Sequence, residues 1–240
     1  MKKFVVAATL VATAGVASAH FSLVAPAVYS VQDDLGLPEK SAPCGQDDPG
    51  NPIVPTNDVT TVHAGDTITV TVDEKIFHPG HYRVALAQDM TSLPDDPAVT
   101  AGDTPCGSAA IQDSSTTGVI IDNQLPHTTA FSSPQSFQVT IPATTCNNCT
   151  LQVVEFMSDH GFNVPGGCFY HHCATMNVVA AGTAIPDGGI STPPAKSGGG
   201  CATASGSAGA AGAILMVGFA SQLARRRRRR RGSETSTSSR

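Results

Sequence analysis

The sequence predicts an all-β protein, an antiparallel β-sandwich with long loops. Short runs that alternate apolar and polar residues are rich in Val, Ile and Thr, and Pro, Gly, Asn and Asp separate them. No stretch of the domain keeps a 3.6-residue apolar period over three turns, which argues against a helical domain. The clearest runs cover residues 67–72, 82–86, 135–141, 150–156 and 174–179. We expect them to form two packed sheets of the immunoglobulin or fibronectin type, joined by long loops such as 32–58 and 88–115.

The chain begins with the pattern of a removable export signal. Lys2 and Lys3 precede an uncharged apolar stretch, and Ala17-Ser18-Ala19 offers the small residues that a signal peptidase requires. We therefore expect residues 1–19 to be a signal peptide and His20 to be the first residue of the mature protein. Cleavage one or two residues away is the alternative. Residues 20–181 are then long enough for one domain with its own core.

The C-terminal part has a different composition. Residues 182–200 are rich in Gly, Pro and Ser and predict a flexible linker. Residues 201–231 contain Cys201, an apolar stretch and seven consecutive arginines, which predicts a membrane segment with a basic cytoplasmic end. Residues 232–240 form a polar tail. The region 198–231 resembles the MYXO-CTERM sorting signal of myxobacterial surface proteins, which implies processing near Cys201 and retention at the cell envelope, or release after processing.

Charge and cysteine content restrict the partners of the domain. Residues 20–181 hold 3 basic and 17 acidic residues, a net charge of −14. Such a domain should repel nucleic acid and anionic lipid and suit cations or neutral partners. It also holds six cysteines, which in an exported protein predict three disulfides of undetermined pairing. For the same reason Cys146-Asn-Asn-Cys149 is better explained as a structural disulfide than as a zinc or redox pair.

The expected N-terminal histidine is the strongest sign of chemistry. His20 would offer a metal an α-amine, a ring nitrogen and a short chelate between them, which no internal histidine can do. His78 lies in a predicted turn, Pro79-Gly80, before the strand at 82–86, and His81 opens that strand. Two imidazoles and one amine form a nitrogen set that suits Cu(II), and imidazole also serves Cu(I). The sequence predicts a copper site at His20 and His78, with His81 as the alternative second ligand.

A second segment is similar to a known family. Cys168-Phe-Tyr-His-His-Cys-Ala174 resembles the Gln-Phe-Tyr-x-x-Cys-Ala run of fungal cellulose-active lytic polysaccharide monooxygenases, and His78-Pro79-Gly80 resembles their His-Pro-Gly-Pro turn. The resemblance implies that His20 and His78 hold copper, that Tyr170 is the axial residue and that His160 is a hydrogen-bonding histidine beside it. It places Cys173 at a disulfide position. It also implies copper-dependent oxidative cleavage of a polysaccharide, with an external electron donor.

The chain departs from this family in two respects. Cys168 stands where the family has a glutamine, and four residues could take over that role: Glu155, Arg83, His81 and His172. The domain has no Trp and three Tyr, of which Tyr29 is the clear spare for stacking on a sugar ring. A non-catalytic envelope protein that binds or delivers copper with the same ligands is therefore the second hypothesis, and an adhesive β-sandwich without metal is a third.

The other histidines receive weaker assignments. His171 and His172 are adjacent on a strand, so they should face opposite sides and not share one ion. We expect His63 and His127 to be surface loop residues. Hydrolase chemistry is disfavoured, because no G-x-S-x-G or H-E-x-x-H motif occurs and no pair of carboxylates stands out. We expect the domain to be a monomer.

Overall fold

Nearly all regular structure in the described part of the chain is β-strand. The computed structural model describes residues 20–46, 50–112, 118–161 and 167–185. The strands are β1 His20–Ala25, β2 Val59–His63, β3 Thr67–Ile76, β4 Gly80–Ala87, β5 Val99–Thr100, β6 Ser108–Ala109, β7 Val119–His127, β8 Gln135–Thr140, β9 Cys146–Met157 and β10 Phe169–Val179. One short 3-10 helix, Met90–Ser92, follows β4. The all-β prediction is confirmed.

Two sheets form a sandwich. The smaller has the strand order β1-β3-β8 and the larger β2-β10-β9-β4-β7, while β5 and β6 pair only with each other. Every strand pair is antiparallel except β2 with β10, which run parallel at one edge of the larger sheet.

The five predicted runs became β3, β4, β8, β9 and β10. The sequence did not predict β1, β2 and β7. The pattern of β7 is broken because Asn123 and Leu125 have φ values of 53° and 49°, and a proline follows at 126. The predicted loop 88–115 contains the short pair β5–β6 as well as the 3-10 helix.

The core lies between the two sheets. Strand β3 shows the expected alternation, with Ile68, Val70 and Val72 buried and their neighbours more exposed. Residues such as Val84 and Leu151 face them from the larger sheet. Each such side chain contributes about 1.5–3 kcal/mol when it is removed from water.

The outer face of the larger sheet is also covered. Strand β9 is buried on both faces from Cys149 to Met157. The Arg83 guanidinium, which is 2% exposed, donates to the Asp95 carbonyl at 2.9 Å and to Gln152 Oε1 at 2.9 Å. Gln152 in turn donates to the Pro43 carbonyl at 2.8 Å. The two long loops therefore fold over this face and are anchored to it by buried polar contacts.

Three disulfides hold these parts together, as the cysteine content predicted. Cys44–Cys173 joins the first long loop to β10, and Cys106–Cys168 joins the second long loop to the residue before β10. Cys146–Cys149 closes a short turn at the start of β9.

The terminal segments of the sequence lie almost entirely outside the described residues. This holds for the predicted signal peptide 1–19, for the linker beyond residue 185, for the sorting segment 201–231 and for the tail 232–240. By internal contacts the chain divides into Met1–Ala195 and Lys196–Arg240. Within the described residues no helix is long and apolar enough to span a bilayer.

Candidate metal centre

Four aromatic rings meet at one end of the sandwich. His20 and Tyr170 have ring centroids 5.8 Å apart, Tyr170 and His160 5.3 Å, and His160 and His78 5.4 Å. Their residues are between 1% and 4% exposed. The structure thus joins all four predicted site residues in one group, called here the ring cluster.

Strand pairing explains this meeting. His20 begins β1 and pairs with Ile76 at the end of β3, so the turn that carries His78 starts beside it. On the other side Gly80 pairs with Met157, and the amide of Ser158 donates to the Pro79 carbonyl at 2.8 Å. The chain after β9 is therefore fixed against the His78 turn, which brings His160 to it.

A buried carboxylate orients the ring of His20. Nε2 of His20 lies 3.7 Å from Oε1 of Glu39, whose side chain is fully buried. The other oxygen of Glu39 accepts a hydrogen bond from the Phe21 amide at 3.1 Å. An N-terminal histidine chelates with its amine and Nδ1, because Nε2 is too far along the ring. Glu39 therefore lies on the edge of the ring that such a chelate does not use.

In His78 a carboxylate contacts the other ring nitrogen, Nδ1. Its Nδ1 lies 2.5 Å from Oδ1 of Asp159, so Nε2 is the nitrogen that remains for a ligand. A carboxylate on the second ring nitrogen is typical of histidines that bind metals. The two carboxylates thus leave Nδ1 of His20 and Nε2 of His78 on the ring edges that a copper site would need.

The ring of His160 is fixed at both nitrogens. Nδ1 donates to the carbonyl of Gly167, and Nε2 accepts from the Tyr170 hydroxyl at 3.3 Å. Burial lowers the pKa of His160 below its usual value, and the Gly167 contact only partly opposes this. His160 is therefore neutral near pH 7 and holds the Tyr170 hydroxyl in place.

His81, the alternative second ligand, faces elsewhere. Its ring lies 5.3 Å from that of Phe156 on the outer face of the sheet, and its Nε2 lies 3.6 Å from Asp122. Burial lowers the pKa of His81. Of the two candidates, His78 is the one that contacts His160.

Cys168 stands where the similar family has a glutamine, and the four residues expected to replace that glutamine make contacts outside the ring cluster. Arg83 and His81 lie on the outer face. His172 Nε2 donates to the Phe21 carbonyl at 2.9 Å, and burial lowers the pKa of His172 to about 4. Glu155 accepts a hydrogen bond from Tyr82 in the core. Cys168 itself is occupied by its disulfide.

Two histidine assignments from the sequence are wrong. His63 ends β2 and contacts Asp66 at 3.2 Å and the Thr183 carbonyl at 2.8 Å. His127 ends β7, and its side chain is only 4% exposed. No local signal marks His127, because its partner Glu74 is 53 residues away in sequence.

The expectation for His171 and His172 is confirmed. His171 Nε2 contacts Asp96 at 2.8 Å on the outer face. The ring of His172 packs on Phe21 on the inner face, with a centroid distance of 4.7 Å.

The fold also brings together carboxylates that the sequence did not single out. Ligand-capable atoms of Glu74, His127 and Glu155 all lie within 4.8 Å of one another. Burial raises the pKa of Glu155 well above its usual value, and the nearby Glu74 carboxylate adds to this.

The three tyrosines differ in exposure: Tyr82 and Tyr170 are buried, and Tyr29 is partly exposed. Two pockets formed by described residues lie at the other end of the sandwich, around Leu86 and Cys146.

No protein-family model, no curated protein and no solved structure matches this chain. The fold and the site define the class as a disulfide-bonded β-sandwich with a buried cluster of histidine and tyrosine rings.

Proposed function

We propose that the mature chain binds one copper ion through the α-amine and Nδ1 of His20 and through Nε2 of His78. The observation that supports this is the paired orientation of the two rings by Glu39 and Asp159. Both rings are also joined through Tyr170 and His160 into one cluster. Two imidazoles and an amine are a donor set that copper accepts in both oxidation states.

Export is part of the proposal. The α-amine exists only after cleavage before His20, so the signal peptide must be removed for the site to form. Three disulfides fit an oxidising compartment. The C-terminal segment would then keep the protein at the cell envelope until it is processed.

The proposed activity is oxidative cleavage of a polysaccharide. Copper in this site would supply one-electron redox chemistry toward O2 or hydrogen peroxide. A substrate C–H group becomes C–OH, and hydrogen peroxide becomes water. With O2 as oxidant, an external donor supplies two electrons and solvent supplies two protons. One oxygen atom of O2 enters the substrate and the other leaves as water. The hydroxylated carbon then expels the neighbouring sugar as an alcohol, so the glycosidic C–O bond breaks and the chain is cut.

The residues around the site have separate tasks in this proposal. Tyr170 would lie beside the bound ion, because its ring contacts that of His20, and its hydroxyl is held by His160. His160 stays neutral, and because both of its nitrogens are hydrogen-bonded, its task in this proposal is to position the Tyr170 hydroxyl. Glu39 and Asp159 hold the two ligand rings in orientation, which limits the reorganisation that binding would cost.

The test combines metal content with turnover. The exported chain should bind one copper, and with a reductant it should release oxidised oligosaccharides from cellulose, chitin or xylan. His78→Ala should abolish both, whereas His81→Ala should keep both. One bound copper without any oxidised product would contradict the enzymatic proposal and leave the binding proposal intact.

That outcome would support the second candidate, an envelope protein that binds or delivers copper. The specific observation in its favour is the burial of Tyr82 and Tyr170, which leaves Tyr29 as the one tyrosine of the described residues available to stack on a sugar ring. Copper transfer to a chelator of known affinity, measured with Cu(I), would then be the informative assay.

A further inference from the structure

We propose that Glu74, His127 and Glu155 form a second cation site that takes a divalent first-row metal ion such as zinc. This site is separate from the ring cluster and independent of the proposed copper function. Its ligands come from β3, the end of β7 and β9, so the ion would join the two sheets.

The spacing of the three side chains suits one ion. Their ligand-capable atoms lie within 4.8 Å of one another, and Nε2 of His127 is 3.0 Å from Oε1 of Glu74. Two donors bound to the same tetrahedral zinc ion at about 2.0–2.2 Å lie about 3.3–3.6 Å apart. Nε2 of His127 and Oε1 of Glu74, at 3.0 Å, therefore need to separate by only about half an ångström to bind one ion.

The ring of His127 is set up as a metal ligand. Its Nδ1 donates to the Leu125 carbonyl at 2.9 Å, which leaves Nε2 directed at Glu74. A backbone carbonyl on the second nitrogen is a common device for fixing the tautomer of a metal-binding histidine. The ring is also held by Phe131, at a centroid distance of 4.3 Å, and stacks on Tyr82.

The carboxylate of Glu155 provides the independent indication of a ligand. The residue is fully buried. One oxygen accepts a hydrogen bond from the Tyr82 hydroxyl at 3.2 Å, and the other, Oε2, is buried without a hydrogen-bond partner. A buried carboxylate oxygen without a partner is costly, and a cation shared with Glu74 and His127 would offset that cost.

The donor set indicates the class of ion. One imidazole nitrogen and two carboxylate oxygens suit Zn(II), Mn(II) or Fe(II) better than the soft Cu(I) ion. The ion would also stabilise the neighbouring turn, because the His78 amide lies 3.4 Å from Oε1 of Glu74.

The experiment measures zinc stoichiometry and affinity of the mature chain by calorimetry, with zinc content after dialysis as a second readout. Glu155→Gln keeps the size of the side chain and its contact with Tyr82. We expect it to bind one zinc ion fewer than the wild-type chain and to lose the zinc-induced rise in Tm. The control Asp66→Asn removes the carboxylate of a partly buried His–Asp pair outside the proposed site and should leave the zinc stoichiometry unchanged.

Circular dichroism checks that the variants fold, and Glu74→Gln provides a second test of the same site. Equal zinc stoichiometry in the wild-type chain and in both glutamine variants would overturn the proposal. So would a wild-type chain that binds no zinc. The test compares the zinc stoichiometry of the wild-type chain with that of the variants. Its outcome therefore does not depend on whether copper binds at His20.

Discussion

Asp159 Oδ1 lies 2.5 Å from Nδ1 of His78, and this contact fixes which nitrogen of His78 is available to a ligand. The two side chains differ in exposure: that of His78 is 5% exposed and that of Asp159 is 41% exposed. A partly exposed carboxylate therefore orients a buried ring at the edge of the ring cluster.

Asp159→Asn should weaken copper binding. The amide cannot hold the His78 ring as firmly and makes the ring a poorer ligand, so we expect affinity to fall about 10- to 100-fold. Competition titration with a chelator measures this. Asp66→Asn, at the partly buried His63 pair, should leave the copper affinity unchanged. An equal loss in both variants would contradict the role given to Asp159.

Tyr170→Phe should lower stability while copper stays bound. The change leaves the buried Nε2 of His160 without its 3.3 Å partner, which costs about 1–3 kcal/mol. Urea unfolding measures the cost, and metal analysis should still find one copper per chain. Loss of copper as severe as in His78→Ala would mean that Tyr170 itself is a principal ligand.

His172 should make the protein less stable as the pH falls. In the unfolded chain its pKa is near 6.5, and in the folded chain it is about 4. Between these values the unfolded state binds more protons, so the free energy of unfolding decreases by about 1.4 kcal/mol per pH unit and by about 3 kcal/mol in total. Urea unfolding of the metal-free chain from pH 7 to pH 4 measures the slope.

His172→Gln is the matched variant for this pH dependence. The glutamine can still donate to the Phe21 carbonyl but does not titrate, so its stability should vary less with pH than that of the wild-type chain. His63→Gln is the control: His63 is partly buried, and a hydrogen bond to the Thr183 carbonyl raises its pKa, so removing it should not flatten the loss of stability at low pH. Parallel pH curves for the wild-type and His172→Gln chains would refute the assignment.

The disulfides should differ in their contributions. Cys44–Cys173 links residues 129 apart in sequence, and Cys146–Cys149 links residues 3 apart. By the chain-entropy relation, replacing both partners with alanine should cost about 5 kcal/mol for the first and about 1.6 kcal/mol for the second. Thermal unfolding of the two double variants tests the order, and a reversed order would contradict it.

The alternating pattern was sufficient to predict the sheets but not their full content. Strands such as β3 bury one face, so apolar and polar residues alternate and reveal the strand. Strand β7 contains Asn123 and Leu125 with positive φ and only partly follows the pattern. The pairing of the disulfides depends on how the loops fold over β10, which local sequence does not encode.

The residues of the ring cluster could be predicted from the sequence, whereas the carboxylate that contacts His20 could not. His20, His78, His160 and Tyr170 stand in recognisable local motifs, whereas Glu39 has none. Glu39 reaches His20 because the first long loop is tied to β10, where its carbonyl accepts the His171 amide at 2.7 Å. The grouping of Glu74 with Glu155 was likewise missed, since it depends on the packing of one sheet on the other.

The most direct test of the central claim compares two chains that differ only at the N-terminus. One begins at His20, and the other retains Ala17-Ser18-Ala19. We expect the first to bind one Cu(II) with nitrogen hyperfine structure from two imidazoles and an amine in its electron paramagnetic resonance spectrum. The second, which lacks the chelate, should lose at least about 100-fold in affinity, since one amine ligand and its chelate ring are removed. Equal affinity and identical spectra for the two chains would contradict a copper site at the N-terminal histidine.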